Sequence, residues 1–136
     1  MRPPEEIRAD FVNQWLHKAA EDLNACQALL SANPPVIPPA CFHAQQAAEK
    51  YLKAFLTSRA LEFPKAHDLQ QLVDLVGSIE PALAGQLSEA ASLSPYGVEI
   101  RCPGEAPEPD AKEAEKALDI AKAVRDTIVK RLSPTG

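Results

Sequence analysis

Three residues in the stretch Cys41 to Ala54 have types and spacing that can do chemistry. His43, Gln46 and Lys50 are three and four residues apart, which puts them on one face of a helix. An imidazole and an ammonium group two turns apart can together contact a phosphate. The competing reading is a solvated helix face with a Gln46–Lys50 pair. His67 lies just before a helix start. There it can act as a general acid or base near neutral pH, or hydrogen-bond the free amides of the helix end. Tyr96 and Arg101 lie in a stretch, Ser92 to Pro109, where nothing is periodic. Long loops inside a small domain are often functional. A tyrosine can stack on a base, and an arginine can hold a phosphate with two hydrogen bonds. Arg101 precedes Cys102-Pro103, which favours an extended backbone. The alternative docks Tyr96 into the core and leaves Arg101 on the surface.

Other chemistries find little support. Cys26, Cys41 and Cys102 form no CxxC, and neither they nor the three histidines show paired zinc-ligand spacing, so no metal is expected. Nothing places a base beside Cys41 or Cys102, and Cys26 lies on an apolar stripe. The nineteen acidic residues are dispersed, and no catalytic carboxylate pair stands out. With five glycines and no glycine-rich phosphate loop, the common nucleotide-dependent α/β enzymes are excluded and no cofactor is indicated. Fourteen basic against nineteen acidic residues give a net charge of −5. Bulk charge therefore cannot hold this chain on nucleic acid, and any such contact must be a local pocket. No apolar run approaches the roughly 18 residues of a membrane span. A polar N-terminus unlike a secretory signal and three cysteines that cannot all pair predict a cytoplasmic protein with reduced thiols.

The elements that must position these residues are helices, because the apolar positions repeat at three and four. One domain is expected over residues 1–136, with its core at about 10–132. The first helix is expected from Asp10 to Ala32, with Phe11, Trp15, Ala19, Leu23, Cys26 and Leu30 on one face. The second starts near Pro39 and ends at Ser58 to Ala60, burying Phe42, Gln45, Ala48, Leu52, Phe55 and Leu56. A short third helix follows His67, with Asp68 as N-cap and Gly77 as its stop. The fourth begins at Pro81 and carries Leu83, Leu87, Ala90 and Ala91. The last begins with Asp110-Ala111-Lys112-Glu113, a capping-box-like start, and runs through Leu132. Met1 to Arg8 and Ser133 to Gly136 are expected to fray. The result is an all-α, antiparallel up-down bundle of four main helices plus a short fifth. The apolar stripes of four helices exceed what one monomer core requires.

Four stretches resemble the HEPN family. They are Trp15-Leu16-His17-Lys18-Ala19-Ala20-Glu21-Asp22-Leu23, the run from Cys41 through Ala54 (Cys-Phe-His-Ala-Gln-Gln-Ala-Ala-Glu-Lys-Tyr-Leu-Lys-Ala), His67-Asp68-Leu69, and Tyr96 through Pro103. The second is the most specific. In the last, Cys102 stands where the family's Arg-Tyr-Pro has tyrosine. The resemblance spans about residues 10 to 130 and implies a bundle of four to five helices. It also implies a homodimer with a groove between subunits and a minimal nucleotidyltransferase as partner, often as a toxin–antitoxin pair. Nucleotide or RNA would bind at Tyr96, Arg101, Lys50 and His43. The Tyr96 hydroxyl becomes a candidate acceptor of AMP from such a partner. Some HEPN proteins are metal-independent ribonucleases, whose signature is an arginine, four to six residues, then a histidine. This chain departs from that signature: its histidines are at 17, 43 and 67, none follows Arg101, and Arg59 to His67 has seven residues between. A ribonuclease here would need a different arrangement, with His67 and Arg101 as the catalytic candidates. The third alternative is a structural adaptor that only dimerises and holds a partner.

Overall fold

The computed structural model describes residues 2–65, 68–97 and 108–132. The described residues form five α-helices and one 3-10 helix, with no strand among them. The helices are α1 Pro4–Ser31, α2 Ile37–Ser58, α3 Leu69–Ile79, α4 Pro81–Gln86 and α5 Ala111–Leu132. The 3-10 helix, Ser88–Gly97, lies between α4 and α5. The all-α bundle agrees with the helical periodicity. The helix count does not, because the expected fourth helix divides: α4 stops at Gln86, and a 3-10 segment takes up the chain from Ser88.

Three further expectations are corrected. α1 starts at Pro4 rather than Asp10, so the segment through Arg8 is helical. Proline in the first turn needs no amide partner, and Glu5 and Glu6 favour the positive end of the helix dipole. Gly77 does not stop α3, which continues to Ile79. A Cβ at Gly77 would stand 3.0 Å from Ala84 Cβ, so this glycine lets α3 and α4 approach closely. The nonperiodic stretch is helical as far as Gly97, in 3-10 form with Pro95 inside it. The caps read from sequence are present: Asp68 accepts from Gln70 N–H at 2.9 Å, and Asp110 from Glu113 N–H at 2.8 Å.

Helix α2 is the centre of the bundle. It packs against α1, α3, α5 and the 3-10 helix. Ala40, Ala44, Ala47, Ala48 and Ala54 are fully buried along it, and small side chains let neighbours close in from several sides. Phe55, Leu52 and Leu56 fill the space between α2, α3 and α5 with Leu69, Leu72, Val76, Ala121 and Ile128. Burying a leucine or phenylalanine of this kind stabilises by about 1.5–3 kcal/mol. Of the expected α1 stripe, Ala19, Leu23 and Cys26 are buried, but Phe11 is half exposed because α2 has ended opposite it.

The end of α2 turns sharply. Ala60 N–H bonds Thr57 O, and Leu61 N–H bonds Leu56 O, both at 3.0 Å. This is the Schellman pattern, and it requires a left-handed residue, here Ala60 with φ 56°. A β-carbon in that conformation costs roughly 1 kcal/mol. The turn sends Leu61 and Phe63 back over α1, where Phe63 meets Trp15 edge-on at 6.2 Å.

Candidate functional site

α1 and α2 run antiparallel, which sets Asp22 opposite the face of α2 that carries His43 and Lys50. Asp22 continues the buried spacing of Ala19 and Cys26 and is only 8% exposed. Its Oδ1 accepts from His43 Nδ1 at 2.8 Å, and its Oδ2 accepts from Lys50 Nζ. A carboxylate can only accept, so the His43 proton sits on Nδ1 and the Nε2 lone pair is left for something else. The His43 side chain is 30% exposed and Lys50 22%. The imidazole also lies edge-on to Phe42, 5.4 Å between centroids.

This arrangement can accept a proton at Nε2 from a hydroxyl. With the imidazole protonated, it can donate to a phosphate oxygen beside Lys50. The Asp22 carboxylate stands against the Lys50 ammonium and offsets its charge. His43 and Lys50 thus come together as the sequence suggested, but through a carboxylate that the spacing on α2 does not contain. The Gln46–Lys50 pair of the competing reading does not form. Gln46 donates to Gln45 Oε1 at 2.6 Å, while Lys50 is drawn to Asp22.

A second polar network runs beneath. Gln45 Nε2 donates to Glu49 Oε1 at 3.3 Å, and Lys53 Nζ donates to Glu49 Oε2 at 3.0 Å. Gln45 and Glu49 are almost fully buried, and Lys53 is 8% exposed. The Lys53 ammonium stands 5.4 Å from the Trp15 ring and 5.6 Å from Phe63, positions where an aromatic face attracts a cation. Buried charges persist only when paired and hydrogen-bonded, and here the aromatic lid excludes water from the pair. Among the described residues no buried side-chain nitrogen or oxygen lacks a partner.

The second network meets the end of the 3-10 helix at Gly97, where a Cβ would come within 3.3 Å of the Gln45 amide. One residue earlier, the Tyr96 ring packs against the core and its hydroxyl donates to Glu113 Oε2 at 3.2 Å. Glu113 is thus joined to Tyr96 in the first turn of α5. Ser94 Oγ accepts from Leu69 N–H at 3.0 Å, which ties the 3-10 helix to the start of α3. His67 and Arg101 lie outside the described residues.

Sequence reasoning missed Asp22 as the partner of His43 and Lys50, and the joining of Gln45, Glu49 and Lys53 into one buried network. The signal was available for Asp22, because it shares the spacing of Ala19 and Cys26. Beside it, burial pushes the Cys26 thiol up to about 11, with a further contribution from Cys41. A thiol so shifted is a poor nucleophile. Among the described residues no three metal-ligating side chains cluster, and no helix is long and apolar enough to cross a membrane.

The model of the HEPN domain matches residues 12–132. Among solved structures, the crystal structure of TT1696 from Thermus thermophilus is similar, with a TM-score of 0.68 and 28% identity. The likeness covers 89% of this chain and 98% of that one. Among curated proteins none matches.

Proposed function

The chain belongs to the HEPN family, and we propose that it is a homodimeric module that binds a nucleotide or RNA segment and works with a minimal nucleotidyltransferase, as in a toxin–antitoxin pair. One observation carries this reading. A partly exposed imidazole and ammonium, His43 and Lys50, are held side by side by the buried carboxylate of Asp22. With a net charge of −5, recognition of a polyanion has to rest on such a local site. In the same reading Arg101 supplies the phosphate clamp, and Tyr96, whose ring packs against the core, contributes its hydroxyl, joined to Glu113. The test is titration of labelled oligoribonucleotides and of ATP into wild type, Lys50→Gln and Arg101→Ala. The glutamine of Lys50→Gln keeps a hydrogen bond to Asp22 while losing the charge. Each variant is expected to bind about tenfold more weakly, the effect of one charge-assisted contact; Arg101→Ala should melt within a few degrees of wild type, and Lys50→Gln, which leaves the buried Asp22 carboxylate without its counterion, is titrated well below its own melting temperature. Equal affinities reject the site. Absence of binding by wild type, together with no co-purification with a co-expressed nucleotidyltransferase, rejects the function.

The Asp22–His43 pair also favours a second reading, metal-independent RNA cleavage. His43 Nε2 would take the proton of a ribose 2′-hydroxyl as that oxygen attacks the adjacent phosphorus; the P–O5′ bond breaks, leaving a 2′,3′-cyclic phosphate, and the departing 5′-oxygen takes a proton from water or from the imidazolium. A cation would stabilise the charge that develops there. Cutting of RNA in EDTA by wild type but not by His43→Ala supports it. Cutting that survives His43→Ala but is lost in His67→Ala and Arg101→Ala moves the chemistry to that pair, and no cutting by wild type removes the reading.

A further inference from the structure

Lys18 lies one turn before Asp22 on α1, so the two share a face of that helix. The antiparallel register lays this stretch of α1 along α2: Trp15 meets Lys53, and Asp22 meets Lys50. Lys18, between Trp15 and Asp22, follows the same seam. It is exposed, and among the described residues it has no ion pair or hydrogen bond. The acid next to Asp22 in the chain, Glu21, pairs with His17 at 3.6 Å instead. His43 has Asp22 as its polar partner among the described residues. Charges on the other elements packed against α2 are engaged elsewhere. On α5, Arg125 and Asp126 act on Tyr51, and Lys122 acts on Cys26. Glu113 takes the Tyr96 hydroxyl of the 3-10 helix, and Asp74 of α3 takes the Gln70 amide. Glu49 and Lys53 hold each other.

The seam therefore carries two ammonium groups, Lys18 and Lys50, and one carboxylate, Asp22, which leaves one positive charge. A proton added at His43 Nε2 makes it two. A phosphodiester carries one negative charge, whereas a phosphate monoester carries nearly two at neutral pH. The Nε2 lone pair repels a phosphate oxygen unless a proton lies between them. We propose that Lys18 and Lys50 hold a phosphate monoester against His43, the terminal phosphate of a free nucleotide or of an RNA end, and that binding places one proton on Nε2. The proton comes from solvent, and no bond to phosphorus changes. This inference rests on the nucleotide-binding reading above. It adds the charge state of the ligand and a further residue, Lys18, that selects it.

The test is calorimetric titration of the full chain with AMP, 3′,5′-cyclic AMP and adenosine, and with one oligoribonucleotide bearing either a 5′-phosphate or a 5′-hydroxyl. Two buffers of different ionisation enthalpy count the protons taken up. AMP is expected to bind about tenfold more tightly than cyclic AMP, the effect of one charge-assisted contact, and the phosphorylated oligonucleotide more tightly than its hydroxyl form. Lys18→Gln, an exposed change that circular dichroism checks, should weaken AMP about tenfold and cyclic AMP less. The bound complex holds a proton that the free imidazole loses as pH rises, so AMP affinity should fall between about pH 6 and pH 8. His43→Gln should remove the proton uptake and flatten that profile. A free nucleotide as ligand makes AMP and the phosphorylated oligonucleotide bind alike. An RNA end as ligand makes the oligonucleotide bind more tightly, and both results keep the inference. If AMP and cyclic AMP bind equally, if the oligonucleotide ignores its end group, or if Lys18→Gln changes nothing, the inference fails while the nucleotide or RNA reading stands. If none of these probes binds wild type, that reading fails and the inference falls with it.

Discussion

Replacing Asp22 by asparagine changes one oxygen to an NH₂ group and should alter the protonation pattern of a different residue. In the wild type the carboxylate accepts from both His43 and Lys50. The introduced amide has one acceptor oxygen, which the Lys50 ammonium, a donor only, will claim. Its NH₂ group is then left facing His43 Nδ1, which lies 2.8 Å from the carboxylate in the wild type. Two N–H groups cannot share that distance, so the imidazole has to move its proton to Nε2 and present Nδ1 as acceptor. A hydrogen bond to a charged group is worth about 1.5–3 kcal/mol net. One such bond becomes neutral and the Lys50 charge loses its counterion, but Lys50 is 22% exposed and water compensates in part. The expected loss is about 2 kcal/mol, or roughly 4–10 °C in melting temperature for a domain of this size. Thermal unfolding followed by circular dichroism measures the first quantity. Nitrogen-15 NMR of the imidazole measures the second, because protonated and bare ring nitrogens differ widely in shift. A proton on Nε2 in the wild type, or one remaining on Nδ1 in Asp22→Asn, would refute the reasoning. If the tautomer switches, Nε2 becomes a donor, and any activity that depends on its accepting a proton should be lost with it.

Glu49→Ala strands the Lys53 ammonium beneath Trp15 and Phe63 and is expected to cost about 3–5 kcal/mol. Glu49→Met/Lys53→Met should recover most of that loss. Denaturant titrations read by Trp15 fluorescence decide it, and a loss below about 1 kcal/mol in the single variant would show that the buried Lys53 ammonium does not depend on Glu49. Glu80 joins the α3–α4 junction to Arg131 on α5 and to Arg59 after α2. Hydrogen bonds from Arg131, its charge and that of Arg59 hold the Glu80 carboxyl below its ordinary 4.5. A lowered carboxyl stabilises above its unfolded value, and that stabilisation is lost as pH falls through the folded value. The stability difference between wild type and Glu80→Gln should therefore be constant above about pH 5 and shrink below 4.5. A difference that persists unchanged to about pH 3 would contradict the assignment.

Helix identity, the caps at Asp68 and Asp110, and the helix start at Pro81 were all legible in the sequence. Each is decided by residues within about one turn of one another, through backbone amides and side-chain periodicity. The pairing of His43 with Lys50 on one face was legible for the same reason. What the sequence left open depends on contacts between elements. Gly77 looked like a helix stop, and only its distance to Ala84 shows that it serves packing. Glu49 and Lys53 are buried because α2 is surrounded and a left-handed turn brings Phe63 back over Lys53. Asp22 finds His43 and Lys50 because the antiparallel register of α1 on α2 puts it there. That register is a property of how two surfaces interlock. Local spacing determines which side chains share a face, and only the tertiary fold decides what that face meets.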